Sequence, residues 1–128
     1  MDRLFAYGTL QHPRVIRYVI GRLPDSRPAL LDDYARYTVR GADYPGIIAS
    51  NGARIDGTVF LGITPPEWDA LDRYEDDLYD RLTVTPQLVE GDSCTAWAYV
   101  VAPEHRHALS DELWELNHYQ PNHLPGRD

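Results

Sequence analysis

The chain has 128 residues, enough for one domain with a real core and too few for two. Its formal charge of −8 and its complete lack of lysine, with twelve arginines scattered along the chain, exclude a nucleic-acid binder and an acidic membrane surface. Hydrophobic residues at 43% exclude a disordered chain, and the single cysteine, Cys94, excludes an intrachain disulfide. The N-terminus lacks the apolar run of a signal peptide and no stretch reaches membrane-span length, so a soluble, cytoplasmic protein is expected.

Residues 3–7 (Arg-Leu-Phe-Ala-Tyr) form a mostly apolar run that stops at Gly8 and reads as a buried strand. Gly8-Thr9-Leu10-Gln11 turns the chain. Residues 13–20 then read as a short helix opened by Pro13 and ended by Gly21. Residues 22–28 read as a loop, and residues 29–40 as a strand whose better half runs from Tyr34 to Arg40. Tyr44-Pro45-Gly46 is expected as a turn and Gly46–Ala49 as a short strand. Asn51-Gly52 is the strongest hairpin signal, joining that strand to another over residues 54–63.

The next helix starts legibly. Thr64 can cap it, Pro65 and Pro66 suit its first turn, and Glu67 three residues after Thr64 completes a capping box. Trp68 and Leu71 mark its inward stripe, and Glu75 falls on that same stripe, with Leu78 next if the helix runs so far. The acids Asp69, Asp72 and Asp76 point elsewhere and read as solvated. Residues 79–86 alternate as a half-buried strand, Glu90-Gly91-Asp92 turns the chain, and Thr95–Val101 forms another strand. Ser110–Leu116 reads as a short terminal helix with a serine cap. The expected organisation is one domain over residues 1–119 and an extended tail over 120–128. Regular βαβ alternation is absent, so a doubly wound parallel sheet is not expected. The element order fits an α+β fold: a small, curved, mostly antiparallel sheet or barrel flanked by two or three helices.

A carboxylate on an apolar stripe has two ordinary fates. It pairs with a cation, here Arg81 or Arg73, or it faces a pocket where desolvation fits it for proton transfer. Other chemistry has little support. The histidines at 12, 105, 107, 118 and 123 show no zinc spacing with cysteine, and His105-x-His107 reads as a solvated loop. No Gly-x-Ser-x-Gly elbow or lysine-bearing phosphate loop occurs, and Cys94 reads as a small, buried or half-buried residue. The turn after the first strand can aim backbone N–H groups at an anion or oxyanion, or Gly8 simply permits a tight bend.

Together these pieces resemble a known family. Phe5-Ala6-Tyr7-Gly8-Thr9-Leu10 is similar to the Tyr-Gly-Thr-Leu loop of the gamma-glutamylcyclotransferase-like proteins, the group that includes gamma-glutamylamine cyclotransferases and AIG2-like proteins. Leu71–Glu75 with Tyr79-Asp80-Arg81 and Val84 resembles the family's second signature, Tyr44-Pro45-Gly46 its aromatic-proline segment, and Trp97-Ala98-Tyr99 its terminal strand. The resemblance covers residues 3–102 and implies a six-stranded, barrel-like fold. It implies that Glu75 is the catalytic acid/base and that Tyr7, Gly8, Thr9 and Leu10 hold the substrate; Tyr79 and Arg81 are expected beside them as substrate-binding residues, and no cofactor or metal is expected. The implied partner is a small gamma-glutamyl substrate, cyclised to 5-oxoproline with release of an amine or amino acid. A non-catalytic binding module on the same fold, and removal of a gamma-glutamyl group from a larger carrier, are the alternatives. Two departures stand out: Asp76 and Asp77 follow Glu75 where the family usually has glycine, and Gln11-His12-Pro13 replaces a more basic, glycine-containing stretch.

Overall fold

The computed structural model describes residues 1–116 and holds seven strands and two α-helices. The strands are β1 (Leu4–Ala6), β2 (Ser26–Val39), β3 (Pro45–Phe60), β4 (Tyr79–Val84), β5 (Gln87–Leu88), β6 (Ala96–Val101) and β7 (Leu109–Leu113). The helices are α1 (Pro13–Ile20) and α2 (Pro65–Glu75), and three short 3-10 turns complete the set. The sheet order is β4-β6-β1-β3-β2-β5, with β7 also on β2. Among the described residues only β1 and β6 pair in parallel and the remaining pairs are antiparallel, so the expected mixed, mostly antiparallel α+β fold is present, with one strand more there than the six expected. The domain end at residue 119 and the tail over 120–128 lie outside the described residues.

Strand β1 explains its own apolar run. Alternate residues of a strand face opposite sides, and both sides of β1 are buried. Leu4 and Ala6 pack with Val15, Ile16, Trp68 and Leu71 under the helices. Phe5 and Tyr7 pack with Leu31, Ile47, Val59 and Ala98 on the other side. The chain leaves this doubly covered strand at Gly8, so the following turn starts deep in the molecule; Tyr7, Gly8, Thr9 and Leu10 are all buried. α1 forms as expected, with Gly21 ending it in the left-handed conformation (φ 85°).

Four expectations are corrected. Asn51-Gly52 makes no hairpin, because β3 runs straight through it as one strand paired with β2. Asp32 faces Arg54 and Tyr34 faces Ala49, so Asp33 alone stands opposite residues 50–53 in a bulge. Gly52 (φ 86°) supplies the left-handed residue, and its N–H donates to Asp33 Oδ1 at 2.9 Å. The true hairpin turn lies over residues 40–44, closed by Val39 N–H to Tyr44 O at 3.0 Å, so Pro45 and Gly46 open a strand rather than form the turn. Residues 26–28, read as loop, pair with residues 58–60 and extend β2.

The terminal helix is also absent. Leu109–Leu113 is a strand that pairs Leu109 with Val39 and Leu113 with Tyr37. Ser110 does not cap a helix; its hydroxyl donates to Thr38 O at 2.7 Å. The open edge of β2 offers backbone partners that no local signal in 109–113 announces, and tertiary pairing overrides the local capping pattern.

Candidate active site

α2 begins as its sequence dictates. Thr64 Oγ1 accepts from the Glu67 N–H at 3.4 Å, and Glu67 Oε1 accepts from the Thr64 N–H at 3.0 Å. Arg22 grips the same carboxylate from α1's end, with Nε and Nη2 at 2.6 and 2.8 Å. That guanidinium holds the Glu67 carboxyl down at about 2. Trp68 and Leu71 are buried as the stripe requires, which fixes the rotation of the helix. Asp76 then takes φ 65°, ψ −164° and breaks the helix directly after Glu75. Leu78 therefore lies in a 3-10 turn, packed towards Val39, Val101 and Leu109, and does not continue the stripe.

Glu75, half-buried at the last position of α2, lines two features that also share Tyr44 and Tyr79. Outward is an open cleft of about 740 Å³ lined by Tyr18, Tyr44, Tyr74 and Tyr79 and by the charged Arg73 and Asp76. Inward is a cavity of about 20 Å³, space for roughly one water-sized group. Tyr7, Gly8, Thr9 and Leu10 line that inner cavity together with Glu75, and Tyr79 and Tyr99 complete its wall. Thus a strand end, a helix end and two distant tyrosines meet at one point.

Two of the tyrosines, Tyr7 and Tyr99, are held as neutral phenols. Tyr7 is pushed well up, first by burial and then by Tyr79 and the Glu75 carboxylate, with the Ile47 N–H and Arg36 partly offsetting this. Tyr99 is raised by burial, by its hydrogen bond to Asp72 and by the charges of Asp72 and Glu75. Glu75 thus acts electrically on both phenols from the cavity they share. Each proton has a partner: Tyr7 donates to Tyr99 O, Tyr79 to Pro45 O at 2.6 Å, and Tyr99 to Asp72 Oδ1 at 2.7 Å.

Arg81 does not line the inner cavity but meets its wall from outside. Its Nε and Nη2 lie 3.0 and 3.2 Å from the two oxygens of Asp72, and its guanidinium sits against the rings of Trp68 and Trp97 at 4.7 and 4.9 Å. It lines a second cleft of about 320 Å³ with Asp72, Asp80 and Trp97, and this cleft shares Tyr79 and Tyr99 with the inner cavity. Of the two cations offered as partners for Glu75, Arg81 thus pairs with Asp72 instead, one turn earlier on the same helix. Asp72, read as merely solvated, carries an ion pair and a phenol hydrogen bond with its side chain 42% exposed. Asp69 and Asp76 are exposed, as expected. Among the described residues, no group of His, Cys, Asp and Glu is arranged to hold a metal.

Sequence reading did not single out Tyr99, Asp72 or Arg36. Tyr99 had a signal, a phenol within the apolar run of β6. Arg36 had none: its Nη1 reaches Tyr7 O at 2.7 Å across 29 residues of chain.

A curved mixed sheet with this loop and this helix end is a gamma-glutamylcyclotransferase-like fold. A solved gamma-glutamyl cyclotransferase superposes with a TM-score of 0.70 over 79% of this chain and 66% of its own, at 19% identity. A solution structure of an Arabidopsis thaliana protein matches more fully, with a TM-score of 0.77 over 98% of this chain and 84% of its own, at 25% identity. The chain belongs to the family described as gamma-glutamyl cyclotransferase, AIG2-like, which matches residues 4–117. AIG2-like protein D of Arabidopsis thaliana is 30% identical over 98% of this chain and 84% of its own length. AIG2-like protein C of the same plant is 39% identical over 68% of this chain, and the match spans 51% of that relative. No helix among the described residues is long and apolar enough to cross a membrane.

Proposed function

We propose that the protein is a gamma-glutamyl cyclotransferase that closes a gamma-glutamyl amide to 5-oxoproline. The observation that carries this reading is the single cavity shared by Glu75 and the Tyr7–Leu10 turn. The substrate's α-amino nitrogen attacks its own γ-carbonyl carbon. A C–N bond closes the five-membered lactam, the original amide C–N bond breaks, and the amine departs. Because nucleophile and electrophile belong to one molecule, the protein needs no serine or cysteine of its own.

Two tasks remain for it. The first is placement of the amine against the carbonyl, which contributes up to about 7–11 kcal/mol in favourable intramolecular systems. The backbone N–H groups of Gly8, Thr9 and Leu10 hold the anionic end or the oxyanion, and the tyrosine wall, Tyr79 included, sets the ring-closing conformation. The second is proton movement. Glu75 takes a proton from the α-ammonium and delivers it to the leaving nitrogen, work of a kind worth roughly 10²–10⁴-fold. The inner cavity admits one small group of the reacting centre, and the larger outer cleft receives the leaving amine. Arg81 acts at a distance, through Asp72 and the Tyr99 phenol.

The test is a panel of gamma-glutamyl amides assayed for 5-oxoproline with the native chain and Glu75→Gln. Turnover by the native chain, abolished in a folded variant that still binds, is the expected result. Normal turnover by Glu75→Gln would refute the mechanism. Binding without lactam formation across the whole panel would make the protein a binding module instead.

A further inference from the structure

Arg36 projects from the middle of β2 with its side chain only 14% exposed. Its donors go mainly to the main chain: Nη1 to Tyr7 O at 2.7 Å and to Asp56 O at 3.0 Å, with Nη2 on Asp56 Oδ1 at 2.7 Å. The ring of Trp114 covers the guanidinium at 5.7 Å. The balancing carboxylate of Asp56 is 73% exposed. Withdrawing a cation from water is costly, and an exposed partner returns little of that cost. The contact that the enclosed end of the fork makes is the carbonyl of Tyr7.

That carbonyl belongs to the peptide joining Tyr7 to Gly8. In a trans peptide the C=O and the following N–H point in opposite directions, and the described chain has no cis bond. Tyr7 and Gly8 both line the inner cavity with Glu75, whereas Arg36 does not line it. A carbonyl drawn to Arg36 therefore turns the Gly8 N–H away from Arg36, at a residue that itself lines the cavity. The neighbouring cation also polarises the peptide, which strengthens its N–H as a donor.

We propose that Arg36 is a positioning residue: by holding the Tyr7 carbonyl it presents the Gly8 N–H to the γ-carbonyl oxygen as that oxygen becomes negative. This rests on the cyclotransferase reading. Without the guanidinium, the peptide is free to rotate and to turn a carbonyl lone pair towards the same developing charge. The oxyanion exists only on the way to product, so the loss falls on kcat and leaves KM nearly unchanged.

Arg36→Met, which keeps an apolar stem under Trp114, is compared with the native chain and with Arg36→Lys, which retains a cationic donor. The expected result is a folded Arg36→Met protein with kcat lowered about 10²-fold, as for loss of one oxyanion donor, and KM changed less than about threefold. Methylguanidinium added to the assay restores part of kcat, and Arg36→Lys loses less than Arg36→Met. In amide NMR spectra, 5-oxoproline shifts the Gly8 signal in the native chain and not in Arg36→Met. Unchanged kcat in folded Arg36→Met, or a fall in kcat that only tracks the unfolded fraction, overturns the proposal. Should Arg36→Met fail to fold, Arg36→Lys decides: a retained Gly8 response with a modest loss of kcat supports the role, and lost turnover with an intact Gly8 response overturns it. If the native chain turns over no gamma-glutamyl amide, the cyclotransferase reading fails separately. The Gly8 response then still decides whether Arg36 sets that N–H: lost in Arg36→Met supports it, retained overturns it.

Discussion

The Tyr99 hydroxyl donates to Asp72 Oδ1 at 2.7 Å, and Arg81 Nε reaches the same oxygen at 3.0 Å. Asp72 lies one turn before Glu75 on α2, and Tyr99 O accepts the Tyr7 hydroxyl. One carboxylate outside the inner cavity thus ties together α2, β4 and β6, and through Tyr99 the end of β1. The wall facing Glu75 is held from behind.

Tyr99→Phe removes the phenol from that link while keeping the ring. Hydrogen bonds to charged groups are worth about 1.5–3 kcal/mol, and the partial exposure of Asp72 lowers the expected loss to about 1 kcal/mol. Urea unfolding should show this as a lower midpoint with an unchanged slope. A midpoint equal to the native one would mean that the bond contributes nothing to stability.

Gly8→Ala tests the closeness of the turn to β3. A Cβ at position 8 meets Pro45 Cγ at 2.8 Å and Cδ at 2.9 Å, too near for either to remain in place. Overpacking of this kind costs about 1–3 kcal/mol. The inner cavity is built from the same atoms, so 5-oxoproline release should fall by more than the loss of folded protein explains. Activity and melting temperature measured on one preparation check both.

Asp76→Gly should stabilise the protein. Asp76 holds φ 65°, ψ −164°, a region that is nearly glycine's alone and costs other residues about 1–3 kcal/mol. Its carboxylate also sits at the negative end of the helix dipole. Allowing for the greater freedom of glycine in the unfolded chain, a gain of about 1 kcal/mol is expected, or roughly 3–5 °C in melting temperature. Calorimetry of the two proteins reads this directly; a lower melting temperature would contradict the strain argument.

The Glu67 carboxyl has a defined acid window. Its folded value, about 2, lies below the ordinary 4.5, because of Arg22 first and the Thr64 N–H after burial is offset. A depressed folded value contributes stability that is fully present above the unfolded value and is lost as pH falls through the folded one. The stability difference between the native chain and Glu67→Gln should therefore be constant above about pH 5 and shrink between about 4.5 and 2. Melting temperatures of both proteins across pH 2–7 measure it, and a pH-independent difference would exclude the ion pair as its source.

Local chemistry was legible. The Thr64-Pro65-Pro66-Glu67 start, the Gly21 stop and the buried β1 run each depend on residues within a few positions of one another, and each formed as read. Signals with two possible partners were not. Asn51-Gly52 favours the left-handed backbone equally in a hairpin and in a bulge, and the pairing of Tyr34 with Ala49 chose the bulge. Ser110 suits a helix cap, but the free edge of β2 made its segment a strand. Arg81 had Asp72 and Glu75 on successive turns of one helix, and the Trp68–Trp97 slot selected Asp72.

By itself the sequence determined that a glutamate ends a capped amphipathic helix and that a glycine turn follows the first strand. Capping and periodicity are short-range, and they survive any arrangement of the rest. Only the tertiary structure decided that these two features face one cavity. Tyr7 and Tyr99 meet across 92 residues, and Arg36 takes the Tyr7 carbonyl across 29. Contacts of that range follow from how the strands of one sheet are ordered, which no local pattern encodes. A carboxylate on an apolar stripe thereby gained a set of neighbours: a buried turn, two neutral phenols and an open cleft.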